Sequence, residues 1–326
     1  MYTADPTRYD TMKYRRCGKS GILLPAISLG IWQNFGSDRP YDISRKIIET
    51  AFDLGITHID MANNYGPYAG AAEETFGRVM AGSLAPYRDE LFISSKAGFD
   101  MWPGPYGNWG SKKYITASCD QSLKRTGLEY FDLFYHHRRD GDTPIEESMD
   151  ALANIVRQGK ALYVGISNYD AADSKLAFET LKSMGIHCLI HQPNYSMLNR
   201  WIEDGLTDEL RNYGVGSIPY CPLAQGLLTS KYLTDIPENS RGNNNDGMTN
   251  DANRLRPKLI KLNDLAAKRG QSLAQMALAW VLRLDTSTTA LIGASKPEQV
   301  IENVKALDNL DFSAEELAEI EKILAE

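Results

Sequence analysis

No apolar run in the 326-residue chain approaches the ~18 residues that a membrane-spanning helix needs, so no membrane span is expected. The first twenty residues carry Asp5, Arg8, Asp10, Lys13, Arg15, Arg16 and Lys19, and so lack the apolar stretch of a secretory leader. Basic excess is missing too: 35 Lys plus Arg stand against 42 Asp plus Glu, for a formal charge of −7. With no long cationic run, nucleic acid is not an expected partner. Cysteine is sparse. Cys17, Cys119, Cys188 and Cys221 lie far apart with no CxxC pair, which predicts reduced thiols and a cytoplasmic location. With 43% hydrophobic residues and unexceptional Gly and Pro contents of 26 and 14, the chain is neither disordered nor collagen-like.

What is present is a repeated alternation. Short apolar runs suited to strands buried on both faces alternate with longer segments patterned at the helical period. The strand candidates are 26–31, 57–61, 91–96, 131–136, 161–165, 188–192, 216–220 and 289–292; the helix candidates are 43–54, 71–80, 116–126, 144–158, 172–184, 206–213, 273–284 and 297–306. Thr143 before Pro144 reads as an N-cap with Pro at the first helical position, and Gly127, Gly159 and Gly185 sit where helices should stop.

Eight such pairs in ~250 residues have the dimension of a (β/α)8 TIM barrel. A doubly wound sheet is the competitor, but the GxGxxG expected after its first strand is absent: the chain reads Leu29, Gly30, Ile31, Trp32, Gln33, Asn34. The prediction is one α/β barrel domain over 1–326. An N-terminal β-hairpin around Gly18–Gly21 caps its bottom, a mobile Asn-rich loop covers Arg241–Arg254, and an extra C-terminal helix starts with a Ser313/Glu316 capping box.

In such a barrel, chemistry gathers at the carboxyl ends of the strands. Asp60 ends the second strand and Tyr65 follows, Lys96 ends the third, His136 and His137 the fourth, Ser167 and Asn168 follow the fifth, Gln192 ends the sixth and Tyr220 the seventh. A buried Lys96 needs a carboxylate, for which Asp60 is the candidate. Tyr65, a phenol with an ordinary pKa of ~10, donates a proton readily only beside a cation. A histidine at the same rim could hold a carbonyl oxygen, and alternation allows only one of His136 and His137 to face the pocket. Singly, each has a plain alternative: a structural ion pair, a packed turn, a satisfied core histidine. Barrel hydrolases collect metal-binding His and Asp at this rim, but the five histidines show no HxH spacing, and no metal site is expected.

These residues resemble the aldo-keto reductase superfamily, over nearly the whole chain. The segment from Gly55 to Gly66 with Glu73 and Glu74 is similar to the first family signature, and Asp132 to His137 to the fourth-strand motif, which places the catalytic histidine on His137. The resemblance implies a tetrad of Asp60, Tyr65, Lys96 and His137. It also implies cofactor contacts at Trp32, Asp60, Ser167, Asn168 and Gln192, stacking by Tyr220, and a diphosphate segment with Cys221, Pro222, Leu223, Gln225 and Gly226. The adenosine end falls on Gly293, Ser295, Gln299, Glu302 and Asn303. Gly293 and Gln299 stand where many NADPH-specific relatives carry a basic residue. The form seen here is similar to the branch containing potassium-channel β subunits, in which Lys231 and Arg241 would approach the cofactor phosphate. NADPH is the expected cofactor, with NADH as the alternative.

Within that branch, Met12–Gly21 and Gly107–Tyr114 resemble bacterial reductases of L-glyceraldehyde 3-phosphate and methylglyoxal. The implied activity is reduction of a small-molecule aldehyde or ketone with Tyr65 as general acid. Trp32, Tyr65, Trp102, Trp109 and His137 would line the substrate site, and Lys112, Lys113 and Arg138 are candidate cations for a phosphorylated triose. The loop aromatics could instead pack the loop on itself. The second reading is a cofactor-sensing, β-subunit-like binding protein with little turnover. A homo-oligomer, tetramer or octamer, is implied by resemblance alone.

Overall fold

Short runs of β-branched and apolar residues pair side by side, because a strand buried on both faces can satisfy its backbone only through its neighbours. The computed structural model describes residues 2–326 except 239, 241, 242 and 244. A hairpin of β1 (Tyr14–Arg16) and β2 (Leu23–Pro25) opens the chain. Eight parallel strands follow: β3 (Ile27–Gly30), β4 (His58–Asp60), β5 (Phe92–Ala97), β6 (Phe131–His136), β7 (Ala161–Ser167), β8 (Cys188–Gln192), β9 (Gly216–Ser217) and β10 (Ala290–Ile292). They lie in the order β10-β3-β4-β5-β6-β7-β8-β9, so each strand pairs with the next in sequence and β10 returns to β3. The ring closes between β9 and β10 through Thr288 N to Ser217 O at 2.8 Å, Leu291 N to Pro219 O at 2.9 Å, and a parallel bridge from Tyr220 to Leu291. This is the predicted (β/α)8 architecture. The seventh strand is shorter than its predicted 216–220, because Pro219 has no N–H to give to the ladder.

Helices α1 (Tyr41–Asp53), α2 (Ala71–Ala81), α3 (Lys112–Thr126), α4 (Ile145–Arg157), α5 (Ala171–Ser183), α6 (Leu206–Tyr213), α8 (Leu273–Leu282) and α9 (Pro297–Val304) cover the outside. Their apolar faces and the outer faces of the strands form the main core, while Cys17, Leu133, Tyr135, Ile190, Ile218 and Leu291 pack a second cluster with the hairpin. The hairpin docks at the bottom, where Lys19 N donates to Gly214 O at 2.8 Å. α10 (Ala314–Ala325) begins with the expected box: Glu316 N donates to Ser313 Oγ and Ser313 N to Glu316 Oε2. No helix among the described residues is long and apolar enough to cross a membrane.

Two further expectations fail. Thr143 is not the cap of α4; Pro144 holds that position, and Thr143 instead donates its N–H and hydroxyl to Asp140. The predicted loop over Arg241–Arg254 is helix from Asp246 onward, since α7 runs Asp246–Lys268. Asn245 caps it by accepting from Met248 N at 3.0 Å, so Asn there starts a helix, and Met248, Ala252, Leu259, Leu262 and Ala266 form its buried face. Arg241 lies outside the described residues.

Gly165 of β7 faces Tyr135, and a Cβ there would stand 2.6 Å from the tyrosine ring and 2.7 Å from Ile190 O. Overpacking of this kind typically costs about 1–3 kcal/mol, so Gly165→Ala is expected to lower the urea midpoint correspondingly.

Candidate active site

Asp60 closes β4 and Lys96 stands near the end of β5, both with side chains turned into the barrel and fully buried. A buried ammonium must be paired. Lys96 Nζ donates to Asp60 Oδ2 at 2.6 Å and to Met61 O at 2.7 Å. Burial still lowers the Lys96 pKa, offset in part by Asp60. Tyr65 sits in the turn after β4, fixed by its N–H to Ala62 O and by Ala72 N to its own carbonyl. Gly66 makes that turn possible: its φ is +110°, and a Cβ would lie 2.7 Å from Ala71 Cβ. The Tyr65 ring centre is 5.0 Å from Lys96 Nζ, and its Oη is 3.5 Å from His137 Nε2.

The two histidines separate as alternation requires. His137 faces Tyr65, while His136 turns outward and shares a 2.6 Å hydrogen bond between Nδ1 and Tyr169 Oη. Burial, reinforced by the charge of Lys96, pushes His137 well below the usual imidazole range. It is therefore neutral and carries one N–H. Burial, then Asp60, pushes the Tyr65 phenol well above 10. Lys96 stands 5.0 Å from the phenol ring, while its hydrogen bonds go to Asp60 and Met61.

The cofactor candidates lie beside this group. Ser167 Oγ donates to Gln192 O at 2.8 Å; Asn168 Nδ2 donates to His137 O and to Ser167 Oγ, both at 3.1 Å; Tyr220 Oη donates to Asn168 Oδ1 at 2.9 Å. Gln192 Nε2 is buried with no partner in the protein. After Tyr220, Cys221, Ala224 and Gln225 all adopt left-handed φ of +53°, +46° and +57°. Backbone turned in this way makes concave anion sites, and three non-glycine residues held there are strained in a manner typical of ligand clamps. An unpaired amide donor, a half-exposed aromatic and such a turn in one row fit a dinucleotide.

Further along, Gly293, Ser295 and Gln299 are exposed near the start of α9, with Ser295 N and Oγ both donating to Gln299 Oε1. Glu302 is engaged by Gln275 and Lys305, Asn303 is buried, and Lys231 is exposed.

At the mouth, Trp32 is 44% exposed with its ring centre 6.3 Å from that of Tyr65. Trp109 is exposed and stacked by Arg138, whose guanidinium also covers Phe99, while Trp102 packs against Tyr114 of α3. Lys112 pairs with Asp150 and Lys113 lies over Tyr106. No metal-holding cluster of His, Cys, Asp and Glu occurs among the described residues.

Three features escaped sequence reasoning. Phe99 packs its ring 4.7 Å from His137, and Tyr114 receives Asn63 Nδ2 at 3.0 Å while donating to Phe99 O. The left-handed turn at 221–225 has no compositional signal. Ser94 and His58 lie directly behind Asp60, and for these a signal existed: they occupy the same inward-facing alternation as Lys96 and Asp60.

The aldo/keto reductase family matches residues 26–325. The L-glyceraldehyde 3-phosphate reductase of Escherichia coli K12 is 56% identical, covering all of this chain and 96% of its own length. A Schizosaccharomyces pombe protein provisionally named a voltage-gated potassium channel subunit beta is 33% identical over 95% of this chain and 93% of its own. A rice protein with a similar provisional name is 31% identical over 94% and 95%. Barrel, buried ion pair and sequence agree: this chain belongs to the aldo/keto reductase family.

Proposed function

We propose that the protein reduces small aldehydes and ketones with NADPH, with Tyr65 as the general acid. The observation that supports this best is the clustering of one phenol, one neutral imidazole and one buried ammonium–carboxylate pair at the same strand ends. His137 Nε2–H would hold the carbonyl oxygen, and Tyr65 Oη would pass its proton to that oxygen as negative charge builds there. Lys96 offsets the phenolate left behind, and Asp60 keeps Lys96 charged and placed. A bound reduced nicotinamide supplies hydrogen and two electrons to the carbonyl carbon.

Ser167, Asn168 and Gln192 would hold the carboxamide, Tyr220 the ring, the turn from Cys221 to Gly226 the diphosphate, and Gly293 to Asn303 the adenosine. Lys231, and Arg241 by its place in the sequence, would meet a 2′-phosphate, which favours NADPH over NADH. The four thiols form no disulfide, in keeping with a cytoplasmic enzyme.

The name of the 56% identical relative points to L-glyceraldehyde 3-phosphate; methylglyoxal is the unphosphorylated alternative. The test is a comparison of both aldehydes with NADPH and NADH, followed by cofactor absorbance. NADPH-dependent turnover supports the assignment, and tight NADPH binding with no turnover of any small aldehyde favours a sensor. The diphosphate turn has its own test. A β-branched residue at φ +57° costs about 1–3 kcal/mol, so Gln225→Val should weaken NADPH binding about tenfold by fluorescence titration, whereas Gln225→Gly retains it.

A further inference from the structure

Behind Asp60 runs an unbroken line of buried polar side chains. Thr289 Oγ1 lies 2.7 Å from Ser28 Oγ, Ser28 Oγ 2.9 Å from His58 Nδ1, His58 Nε2 3.0 Å from Ser94 Oγ, and Ser94 Oγ donates to Asp60 Oδ1 at 2.6 Å. All five residues are fully buried and come from four adjoining strands or their edges. The direction of the line follows from its end. A carboxylate only accepts, so the single proton of Ser94 is committed to Asp60. Ser94 must then accept from His58, which puts the imidazole proton on Nε2. Nδ1 must accept from Ser28, and Ser28 in turn from Thr289. Every donor points toward Asp60. The charged groups acting on His58 are Asp60 and Lys96, and burial, the largest influence, holds its pKa to about 4, so the ring has one proton to place.

We propose that His58 is a positioning residue: through Ser94 it directs this one-way chain onto Asp60 and so fixes the carboxylate that holds Lys96 beneath Tyr65. The geometry shows why one is needed. Lys96 takes Oδ2, and Ser94 is what holds Oδ1. A carboxylate held at one oxygen can turn about its last bond and carry the ammonium with it, whereas one held at both oxygens cannot. The role in turnover rests on the function proposed above; the direction of the chain does not.

Two measurements test it. In the protein labelled with nitrogen-15 at histidine, His58 should show a protonated Nε2 and a bare, hydrogen-bonded Nδ1 across neutral pH; a protonated Nδ1 would overturn the proposal. In turnover, Ser94→Ala should lower kcat about tenfold and Ser94→Thr, which keeps the hydroxyl, should restore it. His58→Leu should cost a similar factor in the wild type and nothing further in Ser94→Ala. A Ser94→Ala enzyme that is less stable yet within twofold in kcat would also overturn the proposal, because the chain would then be structural only. Full activity in Tyr65→Phe would instead remove the catalytic reading and the positioning role with it, leaving the nitrogen-15 result to stand or fall on the chain itself.

Discussion

Tyr65→Phe is expected to lower kcat for aldehyde reduction by about 10³-fold, within the range that a positioned general acid contributes, while NADPH affinity stays within about twofold. The substitution removes one oxygen from a ring packed against Trp32 and His137, so shape is preserved and only the proton is lost. His137 cannot take over. Burial holds it neutral, and a neutral imidazole is a far weaker acid than the imidazolium. Titrating the variant with NADPH and following single-turnover absorbance separates binding from chemistry. Unchanged turnover would remove Tyr65 from its assigned role.

The second large effect is on stability. Lys96→Met leaves Asp60 fully buried with its charge uncompensated, and breaking a buried pair from one side typically costs about 3–5 kcal/mol. The urea midpoint should fall accordingly, and activity should fall with it. Adding Asp60→Asn to Lys96→Met removes the stranded charge and should recover most of the loss in stability without restoring turnover. If the single variant were as stable as the wild type, the pair would not be the buried, mutually dependent unit that the geometry describes.

The barrel was legible because its signal is repetitive: each short apolar run with its following amphipathic segment predicts a strand and a helix, and only boundaries moved. Where the reading failed, a local rule met a tertiary one. Asn245 belongs to a composition that suggests a loop, yet it caps α7, whose buried face extends well beyond the Asn-rich stretch. Pro219 shortens β9 although its neighbours are apolar. In the site, Asp60 and Lys96 could be read from their places at strand ends, whereas alternation said only that one of His136 and His137 faces the pocket and the resemblance of the fourth-strand motif pointed to His137. Glu73 could be matched to a motif but not explained: only the fold shows it buried, accepting from Ser95 Oγ at 2.5 Å and Arg125 Nε at 2.7 Å and so tying α2 to β5 and α3. Nor could burial be weighed against charge from sequence. The proximity of Tyr65 to Lys96 follows from the strand ends, whereas the burial that raises the phenol shows only in the fold.

Proton transfer by Tyr65 is the central step of the proposed mechanism, and running the reaction backward tests it most directly. On the proposed mechanism alcohol oxidation needs the phenolate of Tyr65 as base, and burial raises the phenol, so the reactive fraction grows with pH. With NADP+ and the alcohol, kcat/KM should climb about tenfold per pH unit from neutrality to about pH 9 without levelling, and Tyr65→Phe should lose both the rate and the slope. A profile that is flat in the wild type, or a slope that persists in Tyr65→Phe, would contradict it.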